Sequence, residues 1–548
     1  MWKNKKRIGI ILGLVLMVIV TTSTMAAPIT AYQQPHEEMK NIIVMIPDGM
    51  SMGGVTLARW MKAYNSESGE IDTKTTLALD EMMSGQVRTY WQTQEIIGAI
   101  TDSAPAGTTM ATGEKTADKH IAVSADDTKA PYATILEGAK TLGKSTGIIA
   151  TSNIQHATPA AFSSHYADRS RYDILGEQQV YQNMDVVLGS GAVYLLQPYR
   201  KDGENMVEVL KAQGYQYVST KHEMEGITQG KLWGMFGDSA MAYEMDRETL
   251  APQEPSLKEM TQKALFLLSQ NEKGFFLMVE GSKIDWAAHA NDPIGVVSDI
   301  LAFDDAVAVA LDYAKTHQDT MVLAMTDHGN GGITIGDMET TSTYSSDPIN
   351  KFIEPLAKAT LTGEGIEKML NEERSNSQEV MEEYFGITDL SEEEIMAIVQ
   401  AEEGSMNYVV GPMISKRANI GWTTGGHTGE DVTLFSYLPG DERIHGLIDN
   451  TDVANTAAAI WGLNLKEITK TLYVNANATF EEKGATVKVD IDHPENPQLI
   501  VTKGDTTLIL PESKNYVFEN GEKVFFKGIT VQSNEVFYTA QEVMERLP

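Results

Sequence analysis

Cysteine is absent from all 548 residues. That excludes disulfides, thiolate metal sites and cysteine nucleophiles. Any metal must be held by His, Asp, Glu and hydroxyl groups. Positive charge is scarce: 43 Lys and Arg stand against 76 Asp and Glu, a formal charge of −33. Such a balance argues against a nucleic-acid backbone or an anionic membrane surface as partner. An anionic small molecule would need locally concentrated positive charge, which bound metal ions can provide. Long apolar runs are scarce too. One stands out, Ile8–Val20, and it is short for a membrane span. Lys3, Lys5, Lys6 and Arg7 precede it and "TTSTMAAP" follows, so residues 1–26 read as a signal peptide cleaved after Ala26. An uncleaved anchor is the second reading. Export to a periplasm, cell wall or medium is expected, with no stable membrane anchor. Losing the four basic residues takes the charge from −33 to about −37.

Against these absences stand a 42% hydrophobic content and a length that suits a large core and more than one domain. Four segments run apolar and then break into acid, His or hydroxyl residues with Gly or Ala. They are "NIIVMIPDG" from Asn41, "KSTGIIATSNIQHATPA" from Lys144, "GFFLMVEGSKID" from Gly274 and "TMVLAMTDHGNGG" from Thr320. Helix-like stretches such as Lys258–Ser269 and Val296–Thr316 lie between them. The pattern predicts an α/β three-layer sandwich, its largely parallel central sheet flanked by helices. In such folds the ligand site lies beyond the carboxyl ends of the strands. Residues 337–417 read as a helical insertion within a domain spanning 27–466, with Ser391 capping one acidic helix. Residues 467–548 read as a small β-rich appendage that ends in an amphipathic helix and carries no visible chemistry.

Of the eleven His, His36, His120, His222, His317, His445 and His493 sit in polar settings and read as solvated. His156, His165, His289, His328 and His427 lie near strand ends or in Gly-rich turns. "EGSKIDWAAH" places Glu280 at a strand end, and the spacing of Asp285 and His289 puts both on one face of a helical turn. "MTDHGNGG" offers Asp327 and His328, "GGHTGED" offers His427, and "MIPDGMSMGG" sets Asp48 after a strand. Each is weak alone. Together, in a chain without Cys, they suit Zn²⁺ with an additional Mg²⁺-type site. The stretch "ITDSAPAGTTMATGEKT", Ile100–Thr116, has almost nothing to anchor a core, and Ser103 within it is a nucleophile, a cap or an ordinary loop serine.

From Asn41 to Gly462 these motifs, in their order, resemble the bacterial alkaline phosphatase family. The resemblance identifies Ser103 as nucleophile, in Asp102-Ser103-Ala104 through Thr108. It implies one zinc on Asp285, His289 and His427, and a second on Asp48, Asp327, His328 and the Ser103 oxygen. The third site, usually magnesium, would use Asp48, Thr158 and Glu280. "HATPAAFSSHYADRSRYD" matches the segment that supplies Thr158 and, at Arg169, the phosphate-clamping guanidinium; Asp102 would orient Arg169. Some members carry Asp and Lys where this chain has His156 and Trp286; both lie around the third metal, so zinc can replace magnesium there. Pro105 replaces a more usual small residue and is tolerated in a helix's first turn.

The activity implied is hydrolysis of phosphate monoesters through a phosphoserine, with release of inorganic phosphate. The small residues after Ser103 would leave room for phosphate and metals. A sulfatase needs Cys or Ser followed by x-Pro-x-Arg, and Gly107 stands where that Arg belongs. A phosphodiesterase of the fold usually has Thr as nucleophile. A secreted, non-catalytic metal-binding or adhesive protein is the rival from another class. The resemblance also implies a homodimer, and the C-terminal appendage would serve attachment to a cell envelope or a partner.

Overall fold

The computed structural model describes residues 39–547. The signal-peptide reading and His36 fall outside the described residues. Ten strands form the main sheet: β1 (Asn41–Pro47), β2 (Met83–Arg88), β3 (Ser145–Asn153), β4 (Val186–Ser190), β5 (Gln216–Val218), β6 (Leu232–Met235), β7 (Phe275–Gly281), β8 (Thr320–Ala324), β9 (Val432–Tyr437) and β10 (Gly446–Asp449). Their spatial order is β10-β2-β9-β8-β1-β7-β3-β4-β6-β5. Only β9 runs against the others. The four apolar segments singled out in the sequence are the four adjacent central strands, β8-β1-β7-β3, all parallel.

Their composition follows from burial on both faces. In β1, Ile43 and Met45 enter one core, while Ile42, Val44 and Ile46 enter the core on the opposite face. Helices complete both layers. Leu257–Leu268 starts at a Ser256/Glu259 capping box, and Pro293–His317 starts at Asp292 with proline in its first turn.

The small-residue run departs from its sequence reading. Ser103–Thr112 is a helix with all ten residues buried. It packs on a second short helix, Ala157–Ser163, and at Gly107 an added Cβ would lie 3.1 Å from Ala161 Cβ. The missing side chain at Gly107 therefore serves close helix–helix packing. Pro105 sits in the first turn, where no intrahelical N–H bond is lost.

The stretch read as a helical insertion lies between Thr334–Ile335 and Ile420–Gly421, two short strands that pair antiparallel. Ser391 caps the helix Glu392–Gln400 as expected. Beyond the helix Leu465–Leu472, a five-stranded antiparallel meander spans 486–525 and a three-stranded sheet stands beside it. The amphipathic helix expected at the end is one turn, Gln541–Met544, because the preceding residues, Val536–Thr539, are drawn into the three-stranded sheet.

Candidate functional site

The central strands deliver the site from their carboxyl ends. Asp48 follows β1, and its N–H donates to Gly281 O at 3.2 Å. Glu280 is the penultimate residue of β7, in register with Ile46 of β1 and Ala150 of β3. Asp327 and His328 follow β8, and His156 and Thr158 follow β3. The helix Lys283–His289 holds Asp285 and His289 one turn apart. His427 arrives on a two-residue strand paired with Gly329–Asn330. These side chains converge on this end of the sheet.

Among the described residues four groups of ligand atoms result, each with all its Asp, Glu and His ligand atoms within 4.8 Å of one another. In the first, His289 Nε2 lies 3.4 Å from Asp285 Oδ2 and 3.2 Å from His427 Nε2. His427 Nε2 lies 3.7 Å from Asp285 Oδ1. In the second, His328 Nε2 lies 3.3 Å from Asp327 Oδ2, 3.6 Å from Asp48 Oδ1 and 3.3 Å from Ser103 Oγ. The third brings Asp48, Glu280 and His156 together. Asp102 with His328 and His427 forms an overlapping fourth group.

Two observations say what these groups fit. Each imidazole is turned by its far nitrogen: Nδ1 of His289, His427 and His328 faces the carbonyls of Gly425, Thr101 and Gly329 at 2.9, 2.9 and 3.3 Å. A neutral ring held this way aims its Nε2 lone pair inward, the usual arrangement of a metal-binding histidine. Moreover, five buried carboxylate oxygens, both of Asp48, both of Glu280 and Oδ2 of Asp327, have no hydrogen-bond partner, and neither does Thr158 Oγ1. Buried carboxylates without donors are costly unless a cation lies among them.

Electrostatics agree. Burial, then the charges of Asp327, Asp285 and Glu280, push the Asp48 carboxyl well above its ordinary range. Burial and the Asp327 charge push Glu280 up to about 8. Burial also works to raise Asp285, but the His289 hydrogen bond and the nearby imidazoles carry it below the ordinary range. On the other side of that pair, burial opposes the charged ring of His289, yet Asp285 raises it to about 9. Protons thus crowd where a divalent cation would replace them.

Arg169 Nη1 donates a short hydrogen bond to Asp102 Oδ2, and Nη2 donates to His156 Nε2 at 3.0 Å. Asp102 holds the N-cap position of the helix that begins at Ser103, but its carboxylate makes no capping bond. Burial followed by the Arg169 charge lowers His156 to about 3, so the ring is neutral and accepts from the guanidinium. Trp286 meets His156 edge-on, with centroids 6.0 Å apart.

Some site residues have no sequence signal. Asn330 is fully buried and donates from Nδ2 to Asp285 Oδ1 at 2.7 Å and to Asp285 O at 3.1 Å. Thr326 Oγ1 donates to His328 O and accepts from Met50 N–H. Gly49 is required by space: at φ +67°, an added Cβ would lie 2.5 Å from Asp285 Oδ1. Asn330, two residues after His328 in a Gly-rich turn, reads in sequence as an ordinary turn residue. Two histidines correct their sequence readings. His120 is buried beside Thr116 and Ser124 O rather than solvated. His165 lies apart from the site, buried among Ala122 O, Glu137 and Tyr473.

The family model described as alkaline phosphatase matches residues 39–463. Alkaline phosphatase 4 of Bacillus subtilis (strain 168) is 38% identical over 439 residues, covering 78% of this chain and 89% of that protein. The crystal structure of a cold-active alkaline phosphatase from a psychrophilic Shewanella sp. superposes with TM-score 0.66 at 31% identity, over 77% of this chain and 99% of that one. That of Thermus thermophilus alkaline phosphatase gives TM-score 0.69 at 27% identity, over 79% and 93%. The matched span carries all ten strands of the main sheet and every side chain of the ligand groups, and with it the chain belongs to the alkaline phosphatase family and is a phosphatase enzyme.

Proposed function

We propose that the protein is an exported, metal-dependent phosphatase that hydrolyses phosphate monoesters through a phosphoserine on Ser103. The observation that carries this reading is a serine hydroxyl set among inward-facing imidazole nitrogens and partnerless buried carboxylate oxygens. Asp285, His289 and His427 would hold one zinc, and Asp48, Asp327, His328 and Ser103 Oγ a second. Asp48, Thr158 and Glu280, with His156 in reach, would hold a third ion, magnesium or zinc. When bound, such cations neutralise a phosphate dianion and lower the pKa of hydroxyl and water.

The chain's own residues perform the displacement. Ser103 Oγ attacks phosphorus as the bond to the leaving alcohol breaks, so the phosphoryl group passes to the serine. Ser103 opens its helix, whose free N–H groups and dipole favour the incoming anion. Arg169, fixed by Asp102 and His156, keeps further N–H donors for the phosphate oxygens. Water then attacks phosphorus from the vacated side, the serine–phosphorus bond breaks, and inorganic phosphate leaves with Ser103 restored. Ser103 with Gly107, in place of Thr or a x-Pro-x-Arg run, supports a monoesterase over the diesterase and sulfatase readings.

The test combines Ser103→Ala with metal removal. Ser103→Ala should lower p-nitrophenyl phosphate turnover by about 10³-fold or more and abolish acid-stable labelling by radioactive phosphate, with an unchanged circular dichroism spectrum. Chelation should inactivate the wild type, and zinc should restore it better than magnesium alone. Labelling that persists in the variant, or full activity after chelation, overturns the reading.

A further inference from the structure

Lys283 is a cation that the proposed chemistry leaves unexplained. It opens the helix that carries Asp285 and His289, and its side chain is 1% exposed. Its Nζ donates to Met241 O at 3.1 Å and to both oxygens of Glu364, at 3.2 and 3.0 Å. Glu364 belongs to the helical insertion, in the helix Gly363–Met369, and its side chain is 41% exposed. The same ammonium lies 3.9 Å from the ring centre of Tyr243 and 5.2 Å from that of Trp286.

The contacts continue inward. Trp286 meets His156 edge-on, and His156 Nε2 accepts from Arg169 Nη2. Arg169 in turn grips Asp102, which immediately precedes Ser103. A path of direct contacts thus runs from a half-exposed carboxylate on the insertion to the guanidinium beside the nucleophile. Burying an ammonium is costly, and it is retained only with good partners. Here the hydrogen-bond partners are one carboxylate and one carbonyl, two ring faces stand against the ammonium, and the carboxylates of Asp299, Asp246 and Glu254 lie within reach of its charge.

We propose that Lys283 is a positioning residue for phosphate binding: held by Glu364, it locks Trp286 against His156 and so sets the angle of the Arg169 guanidinium. This inference rests on the assignment of Arg169 as the phosphate clamp. It gives the insertion, through Glu364, a part in the active site.

The experiment uses the full-length, metal-loaded enzyme and measures KM, kcat, competitive inhibition by inorganic phosphate, and zinc content. Lys283→Met should raise KM and the phosphate inhibition constant together by about tenfold, with kcat changed less than about threefold. Lys283→Arg should restore phosphate affinity to within about threefold of the wild type. Glu364→Gln, at a half-exposed position, should give an intermediate rise with zinc content unchanged. Phosphate inhibition within twofold of the wild type in both Lys283→Met and Glu364→Gln overturns the proposal, as does a fall in kcat with no change in phosphate affinity. Arg169→Ala separates the two readings. If it leaves phosphate affinity intact, the clamp assignment itself fails; if it destroys affinity while Lys283→Met does not, only the positioning role fails.

Discussion

Replacing Asp102 with Ala separates two roles that one position can hold. Asp102 occupies the N-cap of the nucleophile's helix, with extended backbone at φ −114° and ψ 163°. A capping carboxylate lost to Ala costs about 1 kcal/mol of stability. In the structure, however, the carboxylate accepts nothing from the helix and is held by Arg169. Charge-assisted hydrogen bonds contribute about 1.5–3 kcal/mol, and exposed ion pairs about 0–1 kcal/mol. With side-chain exposures of 30% for Asp102 and 20% for Arg169, this pair falls between those limits. A loss of about 1–2 kcal/mol in the order of the guanidinium corresponds to a 5–30-fold weaker grip on phosphate. Asp102→Ala should therefore raise KM and the phosphate inhibition constant by that factor. The fold should lose no more than that same ~1–2 kcal/mol by urea denaturation, the pair's own contribution. Turnover at saturation should hold, because the Ser103 contact with His328 is untouched. Destabilisation by 1 kcal/mol or more together with unchanged phosphate inhibition would mean that Asp102 is a cap after all.

Two further predictions concern the C-terminal region. Tyr473 donates a short hydrogen bond to Glu137 and lies 2.6 Å from His165 Nε2, all three buried. Tyr473→Phe should destabilise the fold by about 1–3 kcal/mol, read as a lower urea midpoint, with kcat/KM unchanged, since the triad stands apart from the site. Burial, then the charge of Glu177, raises the Glu512 carboxyl to about 8. The folded protein therefore keeps that proton up to about pH 8 while the unfolded chain releases it near its ordinary value of 4.5, so this group lowers stability progressively as pH rises between the two. Glu512→Gln should match the wild type near pH 4 and melt higher than it at pH 9; parallel melting curves across that range would disprove the assignment.

The parts of the architecture legible in the sequence were those written by local pattern. The four central strands are apolar throughout because both faces are covered, and each breaks into ligand residues where the sheet ends. Asp285 and His289 were legible through helical spacing, and His427 through its glycines. Illegible parts depend on distant segments. Asn330 becomes a support for Asp285 only because the pair Gly329–Asn330 and His427–Thr428 folds across the helix Lys283–His289. Lys283 becomes a buried cation only because Glu364, 81 positions away, reaches it. His120 and His165 show the same limit: their polar neighbours in sequence suggested solvent or a site, while their tertiary neighbours make them internal hydrogen-bonding groups. The burial of the helix Ser103–Thr112 is illegible for the opposite reason. Small residues look unable to build a core, yet they are what two backbones in near contact require.

That near contact fixes a dimension of the site. Ser103 and Thr158 ride on two short helices whose approach at Gly107 stops at Ala161 Cβ and, at 3.4 Å, the Cα of Thr158 itself. The span between the proposed nucleophile and the hydroxyl proposed for the third ion is therefore gauged by main chain against main chain, with no long side chain to flex between them. A rotamer change nearby cannot retune it. Altering that span means displacing a whole helix, and so the spacing of these two hydroxyls is inherited with the fold rather than adjusted residue by residue.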